Sequence, residues 1–270
     1  MASSPSRSAV ALLTIPRQHG AWSVLLLGYA LGVAASGRLG LESLLLLGAL
    51  LCAMPARHTA ALWWRLPATD ARRGALLRWA LAYALVGALA LAALLLVYHR
   101  WLLLPLGAVA GLAGLGLTVA ERSRWDRTLA GELLGMAGLS VTVPAAAYVA
   151  QGTLAAATWG LWALTLVIYC GSVLHVRYVV REARTDPARW RRGAGLVAVG
   201  FHVAAVALAA GAGAAGFMPQ LAALALVPAA LRALWAVARP APERVNIMRL
   251  GLQELAWTAL FVMLAVGVYR

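Results

Sequence analysis

Residues 79–98 read WALAYALVGALALAALLLVY, a run without one charged residue, bounded by Arg78 on one side and His99-Arg100 on the other. At about 1.5 Å per residue a helix of that length spans roughly 30 Å, the thickness of a bilayer's hydrocarbon core. Peptide groups placed in lipid find no water, so each must be satisfied within its own helix. This run sets the class: an all-α protein whose solvent is the bilayer.

Working outward, similar runs fill most of the remaining chain. The spans are expected at 20–37, 41–56, 79–98, 101–120, 130–149, 156–176, 194–215, 218–238 and 251–269, which makes about nine transmembrane helices in a polytopic bundle. The second is short, and the eighth contains Pro228 and Arg232. The 270 residues are 63% hydrophobic and 12% charged, against about 45–50% and 25% in soluble domains. No soluble core of this size hides that much apolar surface. Residues 1–270 read as a single integral membrane domain, with no low-complexity linker. Within it 1–19 is an interfacial segment, since its apolar stretch ends at Pro16-Arg17 without a cleavage site.

All 23 basic residues are arginine. Without lysine there is no side-chain amine for Schiff-base chemistry. The net charge of +14 suggests nucleic acid, but the arginines sit in short segments between apolar runs, as membrane topology requires. Nucleic-acid binding is therefore rejected. Only Arg38, Arg100 and Arg270 fall on the sparse side of the nine spans. The positive-inside rule then puts the N-terminus in the cytoplasm, the C-terminus outside, and the protein in the cytoplasmic (inner) membrane. Of the acidic residues only Glu42 lies on the outer side, so polar chemistry is expected at the cytoplasmic face. Cys52 and Cys170 lie within apolar runs and read as packing residues.

Several groups of residues suit chemistry at that face. Arg17 and His19 stand at the entry to the first span and can meet an anionic group; an interface anchor beside Trp22 explains them as well. The expected loop 57–78 offers Arg57, His58 and Arg65 with Trp63 and Trp64 between them. That mixture suits lipid headgroups or the rim of a site open to lipid. Beyond the sixth span, His175, Tyr178 and Glu182 recur at steps of three and four, followed by Asp186, and so share one helix face. Arg177, Arg181 and Arg184 form a basic stripe beside it. Such a pair of faces can hold a diphosphate, or its charges can simply pair with one another. Glu132 and Glu254 lie near the starts of the fifth and ninth spans, where an ionisable group needs a partner or marks a site. His202, inside the seventh span, reads as a hydrogen-bonded contact between helices. Gly107 with Gly111, and Gly131 with Gly135, have the spacing of close helix packing. No nucleophile elbow, zinc-protease motif or phosphate loop is present.

Two resemblances add to this. Pro16-Arg17-Gln18-His19-Gly20-Ala21-Trp22 resembles the signature of the YwiC-like family of bacterial membrane proteins. Val176 to Arg184 resembles that family's basic segment, and Glu121 to Tyr148, with Pro144, its charged loop and helix. This implies a multi-pass membrane protein and brings no activity with it. More remotely, nine helices with polar loops after the second and sixth resemble the UbiA-type intramembrane prenyltransferases, whose two aspartate-rich motifs bind magnesium and a prenyl diphosphate. The second motif is matched in type by Tyr178, Glu182 and Asp186, with His175 in place of an aspartate. The first is lost, since Arg57-His58 stands near its position with no acids following.

The resemblance thus implies a UbiA-like bundle that binds or transfers a polyprenyl or other lipid-linked anionic substrate at a cytoplasmic cavity. Arg17, Arg57, His58, Arg65, Arg177, Arg181 and Glu254 would hold substrate. His19, His175 and Tyr178 would be catalytic, and Glu182 and Asp186 would bind a cation. Magnesium needs several hard oxygen ligands, so the lost motif counts against ordinary magnesium-dependent transfer. The competing classes are a transporter or exporter of a small anion or lipid, and an accessory protein that assembles a membrane complex.

Overall fold

A computed structural model describes residues 19–121, 124–180, 193–238 and 245–270. Its helices in chain order are α1 (His19–Ser36), α2 (Leu41–Arg65), α3 (Arg73–Leu96), α4 (Leu103–Ala120), α5 (Leu129–Ser140), α6 (Thr142–Gln151), α7 (Ala156–Val180), α8 (Ala194–Ala214), α9 (Val227–Ala238) and α10 (Ile247–Tyr269). Short 3-10 segments at Trp125–Arg127 and Gln220–Leu226 precede α5 and α9. Eight stretches are long and apolar enough to cross a membrane, two of them made jointly, by α5 with α6 and by the Gln220–Leu226 turn with α9. α1 is a shorter apolar ninth. The protein is a multi-pass, all-α membrane protein, as its apolar runs require.

Contacts between helix ends define two faces. At one face Arg57 of α2 meets Thr118 of α4, and Arg177 of α7 meets Glu132 of α5. At the other, Arg100 after α3 meets Glu42 of α2 (3.2 Å), and Arg270 donates to the Ala34 carbonyl of α1 (2.9 Å). Successive crossings therefore alternate in direction, with most described arginines at the first face.

The break between α5 and α6 follows from Pro144. Proline has no N–H for the Ser140 carbonyl four residues back, and its ring crowds that carbonyl. Side chains take over at the break. Ser140 Oγ donates to Ala137 O (2.8 Å) and accepts from Trp162 Nε1 (3.0 Å), and Thr142 Oγ1 donates to Leu139 O (2.8 Å). α6 is the centre of the bundle, with every residue from Thr142 to Val149 buried. Val143 belongs to a core with Leu31, Tyr169, Phe261 and Ala265, while Tyr148 and Val149 belong to a second with Tyr29, Leu46 and Leu94. Hydroxyl bonds fix α1 between them, from Tyr169 to Val24 O (2.7 Å) and from Tyr29 to Ser43 O (2.8 Å). Large side chains such as Leu208 (74% exposed) and Leu112 (70%) face outward, as a lipid-solvated surface demands.

Three expectations need correction. α2 does not end at 56 but runs to Arg65, and α3 begins at Arg73. Arg57, His58 and Arg65 are therefore helical, and the connection is only 66–72, where Asp70 binds Arg72 through both its backbone and its guanidinium. Pro55 does not stop α2; it is tolerated inside the helix and buried. Second, Gly107 and Gly111 pack against nothing: a Cβ on either would meet no atom within 4 Å. The tight approach lies at Gly28 and Gly32 of α1. A Cβ on Gly32 would stand 2.4 Å from Val143 O, and one on Gly28 would stand 2.4 Å from Thr142 Oγ1. Third, His202 touches a neighbouring helix through packing, its Nε2 lying where a Gly171 Cβ would stand, while its Nδ1 bonds Ala198 O within α8 (2.7 Å).

Candidate functional site

The arginine-rich face carries two ion-pair clusters, and a third lies deeper. The first joins α2 to α4. Arg57 Nη1 reaches Thr118 Oγ1 at 3.0 Å and Glu121 Oε1 at 3.4 Å, and Arg65 Nη2 pairs with Glu121 Oε2. Thr118 stays aligned because its hydroxyl donates to Gly114 O (2.8 Å). One carboxylate thus serves two guanidiniums and leaves the group one positive charge in excess. The Glu121 side chain is largely covered, while those of Arg57 and Arg65 are 30% and 46% exposed.

Below this cluster α4 presents glycine. The Arg57 Cδ lies 3.4 Å from where a Gly114 Cβ would be. Gly111 and Gly107 follow on the same face, one and two turns further into the membrane, and both are exposed. A separate apolar groove of about 370 Å³ lies between α4 and α5, lined by Val109, Leu112, Ala113, Leu134, Gly138 and Trp162. At 100° per residue, Val109 and Leu112 sit about half a turn round α4 from Gly114 and Thr118. The groove is therefore behind α4 as seen from Arg57.

The second cluster joins α7 to the start of α5. Arg177 Nη1 lies 2.9 Å from Glu132 Oε2 and donates to Arg127 O (3.3 Å). Thr128 caps α5 by accepting from Gly131 N (3.2 Å), which sets Glu132 in the first turn, where a carboxylate is favoured by the helix dipole.

The third cluster is inside the bundle. Arg232 of α9 pairs with Glu254 of α10 through Nη1 and Oε1. Ser172 of α7 donates to Glu254 Oε2 (2.6 Å), and His175 Nε2 lies 3.9 Å from Oε1. His175, His202 and Arg232 are each no more than 6% exposed. Arg232 was the blemish of the eighth span, and its environment explains it: Pro228 sits in the first turn of α9, where no N–H is needed, and four residues on Arg232 meets the carboxylate that neutralises it.

The expected site residues are thus distributed. Arg57 and Arg65 converge on Glu121. Arg177 is held by Glu132. His175 and Glu254 belong together, and Tyr178 is buried on the same α7 face as His175. His58 lies on α2, partly buried one residue beyond Arg57, and His19 opens α1. Arg17, Arg181, Glu182 and Asp186 lie outside the described residues, the last two being the expected cation ligands. Among the described residues no three His, Cys, Asp or Glu side chains are grouped to hold a metal ion. Thr118, Glu121, Ser172, His202 and Arg232 complete the clusters; the arginine and the histidine inside spans were the legible signals among them.

No curated protein and no solved structure matches the chain. Residues 15–148, from Ile15 just before the PRQHGAW motif to Tyr148 within the central helix α6, match the family model described as YwiC-like protein, and the YwiC-like resemblance is shown over that stretch.

Proposed function

We propose that the protein binds an anionic, lipid-linked substrate of the polyprenyl phosphate or diphosphate class at the cytoplasmic ends of its helices. The observation that carries this is the Arg57–Arg65–Glu121 cluster at the head of an open glycine face on α4. Two guanidiniums sharing one carboxylate keep a net charge and free donors for an anionic headgroup, and planar guanidinium forks match phosphate oxygens. Below Gly114, which Arg57 covers, the exposed face of Gly111 and Gly107 leaves room beside the helix for the hydrocarbon chain. The headgroup then meets arginine while the tail stays in lipid, and no aqueous cavity is needed.

In this reading the arginine-rich face is cytoplasmic, the C-terminus lies outside, and the chain forms a single domain of the inner membrane. His58 and Arg177 border the same face, and Arg17 and Arg181, which lie outside the described residues, are assigned to the site from the sequence. His19, His175 and Tyr178 are the candidates for proton transfer, and Glu182 and Asp186 for a cation. The competing class, a transporter of a small anion or lipid, draws support from a different observation, the charged pair inside the bundle.

The test is binding of farnesyl and geranylgeranyl diphosphate to purified protein, with and without magnesium. Charge-assisted hydrogen bonds contribute about 1.5–3 kcal/mol, so Arg57→Ala is expected to weaken binding by about 10- to 100-fold. Gly111→Leu, which fills the glycine face, is expected to weaken the longer chain more. Absence of saturable binding to the wild type under either condition overturns the proposal.

A further inference from the structure

The charged pair inside the bundle differs from the surface clusters in depth and in what surrounds it. Arg232 lies six residues before the end of α9 and Glu254 seven after the start of α10, so both are roughly 9–10 Å in from the helix ends. His175 and His202 sit at similar depth on α7 and α8. An ion pair there costs desolvation that its own attraction barely offsets, and in membranes such groups mark ion or proton paths.

Three polar atoms of this cluster have no hydrogen-bond partner although their side chains are more than nine-tenths buried: Arg232 Nε, His175 Nδ1 and His202 Nε2. Buried groups in native proteins are normally satisfied, so unpaired ones call for a ligand, water or ion. Arg232 Nε can only donate. His202 Nδ1, bonded to a carbonyl, carries the proton, which leaves Nε2 as an open lone pair. Arg232 and His202 both act electrostatically on His175. From the other elements packed on α10, α1 brings His19, its first residue, and no Asp, Glu or Arg, and the Gln220–Leu226 turn brings none of the four. Arg177 on α7 is engaged by Glu132. Within the described bundle, the charge state of this site is therefore decided by Glu254, Arg232 and the two imidazoles.

We propose that Arg232 and Glu254 form an intramembrane site that takes up a proton and a small monovalent anion together. As it stands the pair is neutral. An anion cannot join Arg232 while Glu254 is ionised, because a net negative charge would then sit in a medium of low dielectric constant. When a proton from solvent forms an O–H bond on the Glu254 carboxylate, the guanidinium loses its counterion and its Nη1 and Nε face an anion instead. The proton's charge offsets the anion's, so the total is unchanged. His175 completes the donor set, while Ser172 stays with the Glu254 carboxyl. This rests on the transport reading rather than on the headgroup site, and the two fail separately.

The test follows protons. Protein in nanodiscs, in weak buffer with a pH indicator, is moved from sodium gluconate to sodium chloride, bromide or nitrate at constant ionic strength. The wild type is expected to take up protons saturably, towards one per chain, with the anion midpoint falling as the pH is lowered. Glu254→Gln removes the acceptor and is expected to abolish uptake, whereas Asp70→Asn, in an exposed connection, keeps it. Ser172→Ala removes a hydrogen bond that stabilises the ionised carboxylate, and is expected to lower the anion midpoint at a given pH. No uptake by the wild type with any of the three anions overturns the proposal. So does uptake that persists in Glu254→Gln, which would point to His202, or an unmoved midpoint in Ser172→Ala.

Discussion

Arg232 and Glu254, 22 positions apart and on consecutive helices, form a largely buried ion pair in a bundle whose exposed large apolar side chains are mostly leucine, valine and tryptophan. Removing one member of a buried pair leaves an uncompensated charge and costs about 3–5 kcal/mol, whereas replacing both with apolar residues is often neutral. Arg232→Met and Glu254→Met alone are expected to lower thermal stability in detergent sharply, and the double variant to recover most of it. A double-mutant cycle on the melting midpoints measures the coupling. Additive losses would mean that the two side chains do not share a site.

Gly32 makes a second prediction. A side chain there meets the Val143 carbonyl and the Ala146 methyl, 2.8 Å away, and neither can swing aside because both belong to the most buried helix. Gly32→Val is expected to cost about 1–3 kcal/mol through overpacking. Gly107→Ala meets no atom and exchanges a flexible helical residue for a good helix former, so it is expected to be neutral or stabilising by up to about 1 kcal/mol. Melting midpoints of both variants, measured in one detergent, decide it.

Asp70 makes the third. Its hydrogen bonds to the Arg72 side chain and backbone hold its carboxyl near a pKa of about 2, below the ordinary 3.8. Since the folded value is depressed, the contribution is full above the unfolded value and fades as pH falls from about 4 towards 2. Amide protection in the first turn of α3, corrected for the intrinsic pH dependence of exchange, is expected to fall over that window. In Asp70→Asn, which keeps the turn's acceptor without titrating, it should not.

Much of this architecture was legible because hydropathy in lipid is a coarse and strong constraint. Residues 79–98 can be nothing but a crossing, and the same logic placed nine spans. What it misplaced were ends. Arg57, His58 and Arg65 look like loop by polarity, yet a helix emerging from lipid carries such residues readily, since their stems lie along the apolar surface. The break at Val141 was foreshadowed by Pro144. The close contact of α1 was written in Gly28-Tyr-Ala-Leu-Gly32, a GxxxG no weaker than the pair at Gly107 and Gly111; sequence spacing does not tell which glycines face a helix and which face lipid. Pairing was the least legible. Which of several acids neutralises Arg57, Arg177 or Arg232 depends on helix neighbours that no local pattern encodes.

The headgroup site is tested most directly by Glu121→Gln. If Arg57 and Arg65 are the anion-binding groups and Glu121 holds them in the absence of ligand, removing its charge frees both guanidiniums. Geranylgeranyl diphosphate should then bind several-fold more tightly than to the wild type, an advantage that disappears when Arg57→Ala is added. Binding that is unchanged or weakened in Glu121→Gln, with the fold intact by circular dichroism, would contradict the assignment of this cluster as the place where an anionic lipid is held.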